Sequence, residues 1–152
     1  MLVPFIAHWP SKIEAGRESD APVVGVDLVP TLLALLDLPT PNDRMIDGVD
    51  QGPHLLAGEA PPDRLVHYFG TGGSLDAIRD TRFKYHRRRG VRSVGSENLS
   101  FNAPQGPWLF DLSQDPTESY DASRRYPKEV ERMAALFAQK VSETTTNRRG
   151  WR

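Results

Sequence analysis

Apolar positions along this 152-residue chain change period several times. Residues 2–9 form a short apolar run rich in strand formers, closed by Trp9-Pro10, and read as a buried strand. Residues 11–20 are polar, contain Gly16 and read as a surface loop, and Val23-Val24 reads as a brief extended piece. From Asp27 onward, Leu28, Leu32, Leu35 and Leu36 recur at helical spacing with Leu33 beside them, which predicts a largely buried helix. Asp27 suits its N-cap. Pro30 falls in the first turn, where a missing N–H does little harm, and Pro39 and Pro41 stop the helix near Asp37.

Residues 39–62 are rich in Pro, Gly and Asp and predict a surface crossing with one helical turn at 53–57. Strands follow. Residues 64–69 lead into the turn signal Gly70-Thr71-Gly72-Gly73, and 75–79 and 82–87 flank Asp80-Thr81 as a hairpin. Residues 91–105 have no period and read as a loop; residues 108–112 are a fourth strand. Asp115-Pro116 opens a turn in which Glu118 is placed to bond backbone amides. The last helix starts near Pro127, with Glu129 and Glu131 close to its positive end. Val130, Met133, Ala134, Phe137 and Val141 give it an apolar stripe, and a frayed end is expected past Glu143. Four strands and one amphipathic helix predict an antiparallel sheet with the helix on one face.

Composition changes this picture little. A hydrophobic share of 38% and a charged share of 26% are those of a globular chain. Basic and acidic residues number 19 and 20, so no overall field argues for nucleic acid or an anionic membrane as partner. No apolar run approaches the ~20 residues of a membrane helix, and the opening lacks the charged start of a signal peptide. Cysteine is absent, which removes disulfides, thiolate zinc sites and a cysteine nucleophile from these residues. The histidines, His8, His54, His67 and His86, show no metal-ligand spacing, although His67 and His86 lie on predicted strands that can bring them together. The densest charge feature is His86-Arg87-Arg88-Arg89-Gly90-Val91-Arg92, which reads first as a solvated hairpin tip.

Five segments, taken in order, carry a resemblance to the sulfatases. Val3-Pro4-Phe5-Ile6-Ala7-His8-Trp9-Pro10-Ser11-Lys12-Ile13 resembles their VPxIxxWPGxI segment, with Ser11 in place of the glycine. Asp27-Leu28-Val29-Pro30-Thr31-Leu32-Leu33 is similar to DLxPTLL, and Asp47-Gly48-Val49-Asp50 to DGxD. Residues 77–85, from Ala77 through Arg79 to Lys84-Tyr85, resemble AxRxxxxKY, and residues 109–118, ending Asp115-Pro116-Thr117-Glu118, resemble LxDLxxDPxE.

The resemblance implies an α/β fold of the alkaline-phosphatase type, represented by its carboxyl-terminal portion. Residues 1–62 would supply a late core strand and helix of the main domain. Residues 63–152 would be the small subdomain, a four-stranded antiparallel sheet with a terminal helix. The implied reaction is hydrolysis of sulfate esters, using formylglycine made from a Cys/Ser-x-Pro-x-Arg segment beside a calcium ion held by oxygen ligands. Neither that segment nor the family's EGGxR occurs here, and the metal aspartates and active-site lysine and histidine lie upstream of the Val3 segment in the family. No catalytic or metal-binding residue is therefore assigned, and the isolated chain is expected to be inactive. Arg89 and Arg92 are the candidate substrate contacts, because guanidinium matches oxyanions bidentately. A sulfated small molecule or glycan is the implied partner once the amino-terminal portion is joined. Two other readings stay open: a phosphodiesterase or phosphonate-hydrolase fragment of the same superfamily, and a non-enzymatic binding or assembly module.

Overall fold

A computed structural model describes residues 3–43, 46–70, 73–87, 89–90 and 104–146. They belong to two compact units, one within Met1–Arg64 and the other within Leu65–Arg148.

The first unit holds two short helices and departs most from the sequence reading. The expected strand at residues 2–9 does not form over its described part. Val3, Phe5, Ile6 and Trp9 are exposed, and residues 3–9 carry no strand assignment. The run ends in a turn, with the amides of Lys12 and Ile13 both donating to the Trp9 carbonyl. A 3-10 turn, Gly25–Asp27, leads directly into helix α1, Leu28–Leu35. This helix is not the buried element its leucines suggest. Leu28, Leu32 and Leu36 face outward, Leu32 with 56% of its surface exposed, whereas Asp27, Pro30 and Thr31 are buried. Asp27 does not cap α1 with its side chain either. Helix α2, Gly52–Ala57, forms where a helical turn was expected and ends on Gly58, whose φ of 69° is the left-handed value glycine tolerates best.

The second unit is the expected sheet with its helix. Strands β1 (Val66–Phe69), β2 (Leu75–Arg79), β3 (Phe83–His86), β4 (Arg89–Gly90), β5 (Pro104–Gln105) and β6 (Trp108–Asp111) precede helix α3, Pro127–Thr146. Strands β1, β2, β3 and β6 form an antiparallel sheet in that order, and β4 pairs with β5 in a separate ribbon. The ribbon was not foreseen, because Pro104-Gln105 closed a stretch read as loop. Register assigns side chains to faces, since directly opposed residues point the same way. His67, Ile78, Tyr85 and Leu109 line up on one face; Tyr68, Ala77, His86 and Trp108 line up on the other. The first face takes α3. Ile78, Leu109 and Met133 are fully buried with Phe83 and Tyr85, and Val130, Ala134, Leu136 and Phe137 of the helix pack against them. Each fully buried apolar side chain contributes about 1.5–3 kcal/mol. Val141, expected in the stripe, is exposed instead, and Leu136 packs in the core.

Hydrogen bonds lock the hairpin and the helix together. Asp80 Oδ1 accepts the amides of Arg82 (2.8 Å) and Phe83 (2.6 Å), closing the β2–β3 turn. Its other oxygen meets Arg132 of α3, which also holds Glu129 at 2.7 Å.

Candidate functional site

The polar residues picked out by the sequence collect into two clusters, one in each unit. In the second unit, Lys84 projects from β3 on the face opposite α3. Its ammonium donates to both carboxylate oxygens of Glu118 at 2.7 Å and sits 4.5 Å from the centre of the Tyr68 ring. Lys84 is 8% exposed, so the attraction acts with little water in between. His86, two residues further along β3, has Nε2 3.5 Å from the same carboxylate and its ring edge-on to Phe110. Glu118 adopts a left-handed backbone, with φ of 58°, which glutamate seldom occupies. Its expected role of bonding turn amides belongs instead to Asp115, whose Oδ2 accepts from Ser119 (2.7 Å) and Tyr120 (2.8 Å). The Tyr120 amide leads in holding the Asp115 carboxyl below its ordinary range.

Asp111 on β6 accepts a two-pronged bond from Arg82, at 3.2 and 2.7 Å, and a 2.6 Å bond from the Ser113 hydroxyl. The Arg82 guanidinium holds the Asp111 carboxyl well below the usual carboxylate range. Burial on the helix-covered face pushes the Tyr85 phenol up. Of the two, only the Asp111–Arg82 pairing stabilises the sheet; the Tyr85 shift records that burial disfavours its ionised form. Neither leaves a group poised to attack a substrate.

In the first unit, Asp27 is fully buried and its carboxylate gathers three separate stretches of chain. It accepts from the amides of Val24 (2.9 Å) and Val49 (3.1 Å) and from the Gln51 side chain (3.3 Å), and it pairs with Arg64. Thr31 extends the cluster: its hydroxyl donates to the Asp27 carbonyl at 2.7 Å and accepts from the Gln51 amide at 2.9 Å. Gly48 lets the loop approach, because a Cβ there would overlap the Val26 carbonyl oxygen. The DLxPTLL-like and DGxD-like segments thus meet around one carboxylate. Arg64, its cationic partner, carried no sequence signal.

The remaining histidines are dispersed. His67 and His86 lie on opposite faces of the sheet, so pairing brings them no closer. His54 bonds the Ser19 hydroxyl through Nε2 (2.9 Å) and the Glu59 carbonyl through Nδ1 (2.7 Å), an exposed surface clasp. His8 lies on the exposed opening segment. Of the candidate substrate contacts, Arg89 lies on β4 opposite Gln105, and Arg92 is outside the described residues.

A calcium ion needs several oxygen ligands converging on one point. Among the described residues no three His, Cys, Asp or Glu side chains converge in that way. The carboxylates of Asp27, Asp111 and Glu118 are already neutralised by Arg64, Arg82 and Lys84. These residues do not fit the family's metal site. The clusters hold loops onto helices and strands, which is a scaffolding role.

The carboxylates at the centre of these clusters, Asp27, Asp111 and Glu118, all lie in the sulfatase-like segments, and comparison with known proteins agrees. Human arylsulfatase D is 31% identical over 161 aligned positions, covering 90% of this chain and 27% of its own. Dog N-acetylgalactosamine-6-sulfatase is also 31% identical, over 91% of this chain and 30% of its own, and human steryl-sulfatase is 39% identical over 76% and 23%. This chain is a sulfatase-family sequence. It corresponds to the carboxyl-terminal portion of the family and spans less than a third of the length of these curated relatives. No family model matches it. Among solved structures, the PsFucS1 sulfatase from Pseudoalteromonas superposes with a TM-score of 0.64 at 22% identity, over 82% of this chain and 26% of that one. A structure described as bound to its substrate D-glucosamine-2-N,6-O-disulfate superposes at 0.61, also at 22% identity, over 93% and 28%. Both share the fold: the antiparallel sheet and terminal helix are those of the sulfatase carboxyl-terminal subdomain.

Proposed function

We propose that this chain is the carboxyl-terminal part of an enzyme that hydrolyses sulfate esters, and that it supplies scaffold rather than reacting groups. The observation carrying this reading is the alignment with curated sulfatases across about nine-tenths of the chain. In such an enzyme the formylglycine nucleophile and the calcium ligands come from residues outside this stretch, which has no cysteine to convert. The contribution to substrate is the basic run after β3. Arg89 and Arg92 form part of the rim of the pocket and contact the oxyanion of a sulfated small molecule or glycan, because a guanidinium offers two parallel donors to such a group.

Two assays test the reading. The purified 152-residue chain is expected to give no turnover of an aryl sulfate. Turnover that disappears on chelating calcium would overturn the scaffold assignment. In an active enzyme carrying this segment, replacing Arg89 and Arg92 together by Ala is expected to raise KM about tenfold with kcat little changed. An unchanged KM removes both residues from the site.

A further inference from the structure

The basic run after β3 is not one solvated cluster. Arg87, its first arginine, turns back onto β2. Its amide donates to the Asp76 carbonyl at 3.1 Å, one pair beyond the last β2–β3 ladder position, Ala77 with His86. Its guanidinium reaches Asp76 Oδ1 at 3.0 Å and the Ser74 hydroxyl at 3.3 Å, and that hydroxyl donates to the same carboxylate oxygen at 3.3 Å. Asp76 is buried, so this attraction is screened less than that of a surface pair. Gly70, which follows β1, lets the carboxylate in, because a Cβ there would overlap Asp76 Oδ2. Asp76 therefore joins the β1–β2 turn to the place where the chain leaves β3.

Both legs of the β4–β5 ribbon start from such anchors. On the outgoing leg, Arg87 is followed two residues later by Arg89, which opens β4 opposite Gln105. On the returning leg, Gly106 has a φ of 93°, and a Cβ there would come within 3.0 Å of the Trp108 ring. Trp108 pairs in turn with His86. The ribbon is a sheet of its own, so its direction depends on how Arg87 and Gly106 are held. We propose that Asp76 is a positioning residue for substrate binding: by holding Arg87 it sets where β4, and with it Arg89, leaves the sheet. The inference rests on the proposed reading that Arg89 contacts the substrate oxyanion. A bidentate contact tolerates little displacement, and a shift of about 1 Å is enough to weaken it. The effect of Asp76 passes through the Arg87 anchor. It is felt in KM more than in kcat, because the reacting groups of the proposed enzyme lie outside this stretch.

The anchor and its effect on substrate are tested separately. The 152-residue chain has no cysteine, so Gln105→Cys carries a single nitroxide on the strand opposite Arg89. Its spectrum is expected to sharpen when Asp76→Asn or Arg87→Gln is added. Arg87→Gln removes the partly exposed partner and serves where loss of the buried acid prevents folding. Asp111→Asn, which breaks a carboxylate–arginine pair at the opposite end of β3, is expected to leave the spectrum as it was. A spectrum unchanged by both anchor variants overturns the inference. In an active enzyme carrying this segment, Asp76→Asn and Arg87→Gln are each expected to raise KM about threefold with kcat little changed. In a background lacking both Arg89 and Arg92, Asp76→Asn is expected to have no further effect on KM. An unchanged KM, an effect that persists in that background, or a parallel fall in kcat each overturns the positioning role. If Arg89→Ala with Arg92→Ala leaves KM unchanged, the proposed substrate contact itself fails and the positioning role falls with it. A KM raised by those two substitutions but not by the anchor variants defeats this inference alone.

Discussion

The Lys84–Glu118 pair shows what single residues contribute here. Glutamate at a left-handed backbone position costs about 1 kcal/mol relative to glycine, and the return is a carboxylate aimed at a nearly buried ammonium. Lys84→Met keeps the stem packed on the Tyr68 ring but leaves Glu118 without its cation. It is expected to destabilise the chain by about 1–3 kcal/mol, read as a lower midpoint in urea; a native midpoint would show that the pair adds nothing to stability. Asp111 carries a pH dependence. Its carboxyl is lowered in the folded state by Arg82, so the stabilisation is fully present above the unfolded value of about 3.9 and is lost as pH falls towards the folded one. Melting temperatures taken from pH 5 to pH 2 are expected to drop, and Asp111→Asn to drop less steeply. Equal slopes would remove Asp111 as the source. Residue chemistry of this kind was partly legible. The partner of Lys84 was not legible, because contact across the fold depends on how a distant turn is bent.

At the scale of elements, periodicity carried the information where one side of an element meets its own core. Strands β1, β2, β3 and β6 and helix α3 arose close to where alternation and the apolar stripe placed them, since α3 covers one face of the sheet. Met133 is the centre of that packing. Met133→Ala is expected to cost about 2–5 kcal/mol through lost burial and a residual cavity. A Tm shift of less than a degree or two would mean that the helix is not seated as described. Helix α1 has an equally clear apolar period, yet Leu28 and Leu32 lie outward and Leu33 and Leu35 are only half-buried. Period reveals that an element has an apolar side. It does not reveal which molecule, or which part of one, that side faces. The same ignorance of partners hid the β4–β5 ribbon, whose two-residue strands are too short to show alternation.

Across the whole molecule, the two units rest on different physics. The second is an apolar core between a sheet and a helix, and the first is a set of loops and short helices tied to the Asp27 carboxylate. Family membership was legible because five short segments keep their order, and the structure gives four of them a mechanical reason: a buried carboxylate, a close-approach glycine, an ion pair, a turn. The candidate substrate contacts were legible only as a cluster of positive charge. The buried polar groups of unit 1 have a calorimetric consequence. Heat capacity rises on unfolding because apolar surface becomes hydrated, and falls where polar surface does. Leu28 and Leu32 of α1 are largely hydrated before unfolding begins, and Asp27, Thr31 and Gln51 are prominent among the groups newly wetted. Unit 1 therefore adds less per residue to the heat-capacity increment of the isolated chain than the sheet and helix do. Its stability varies with temperature along a shallower curve than that of the sheet and helix that follow it.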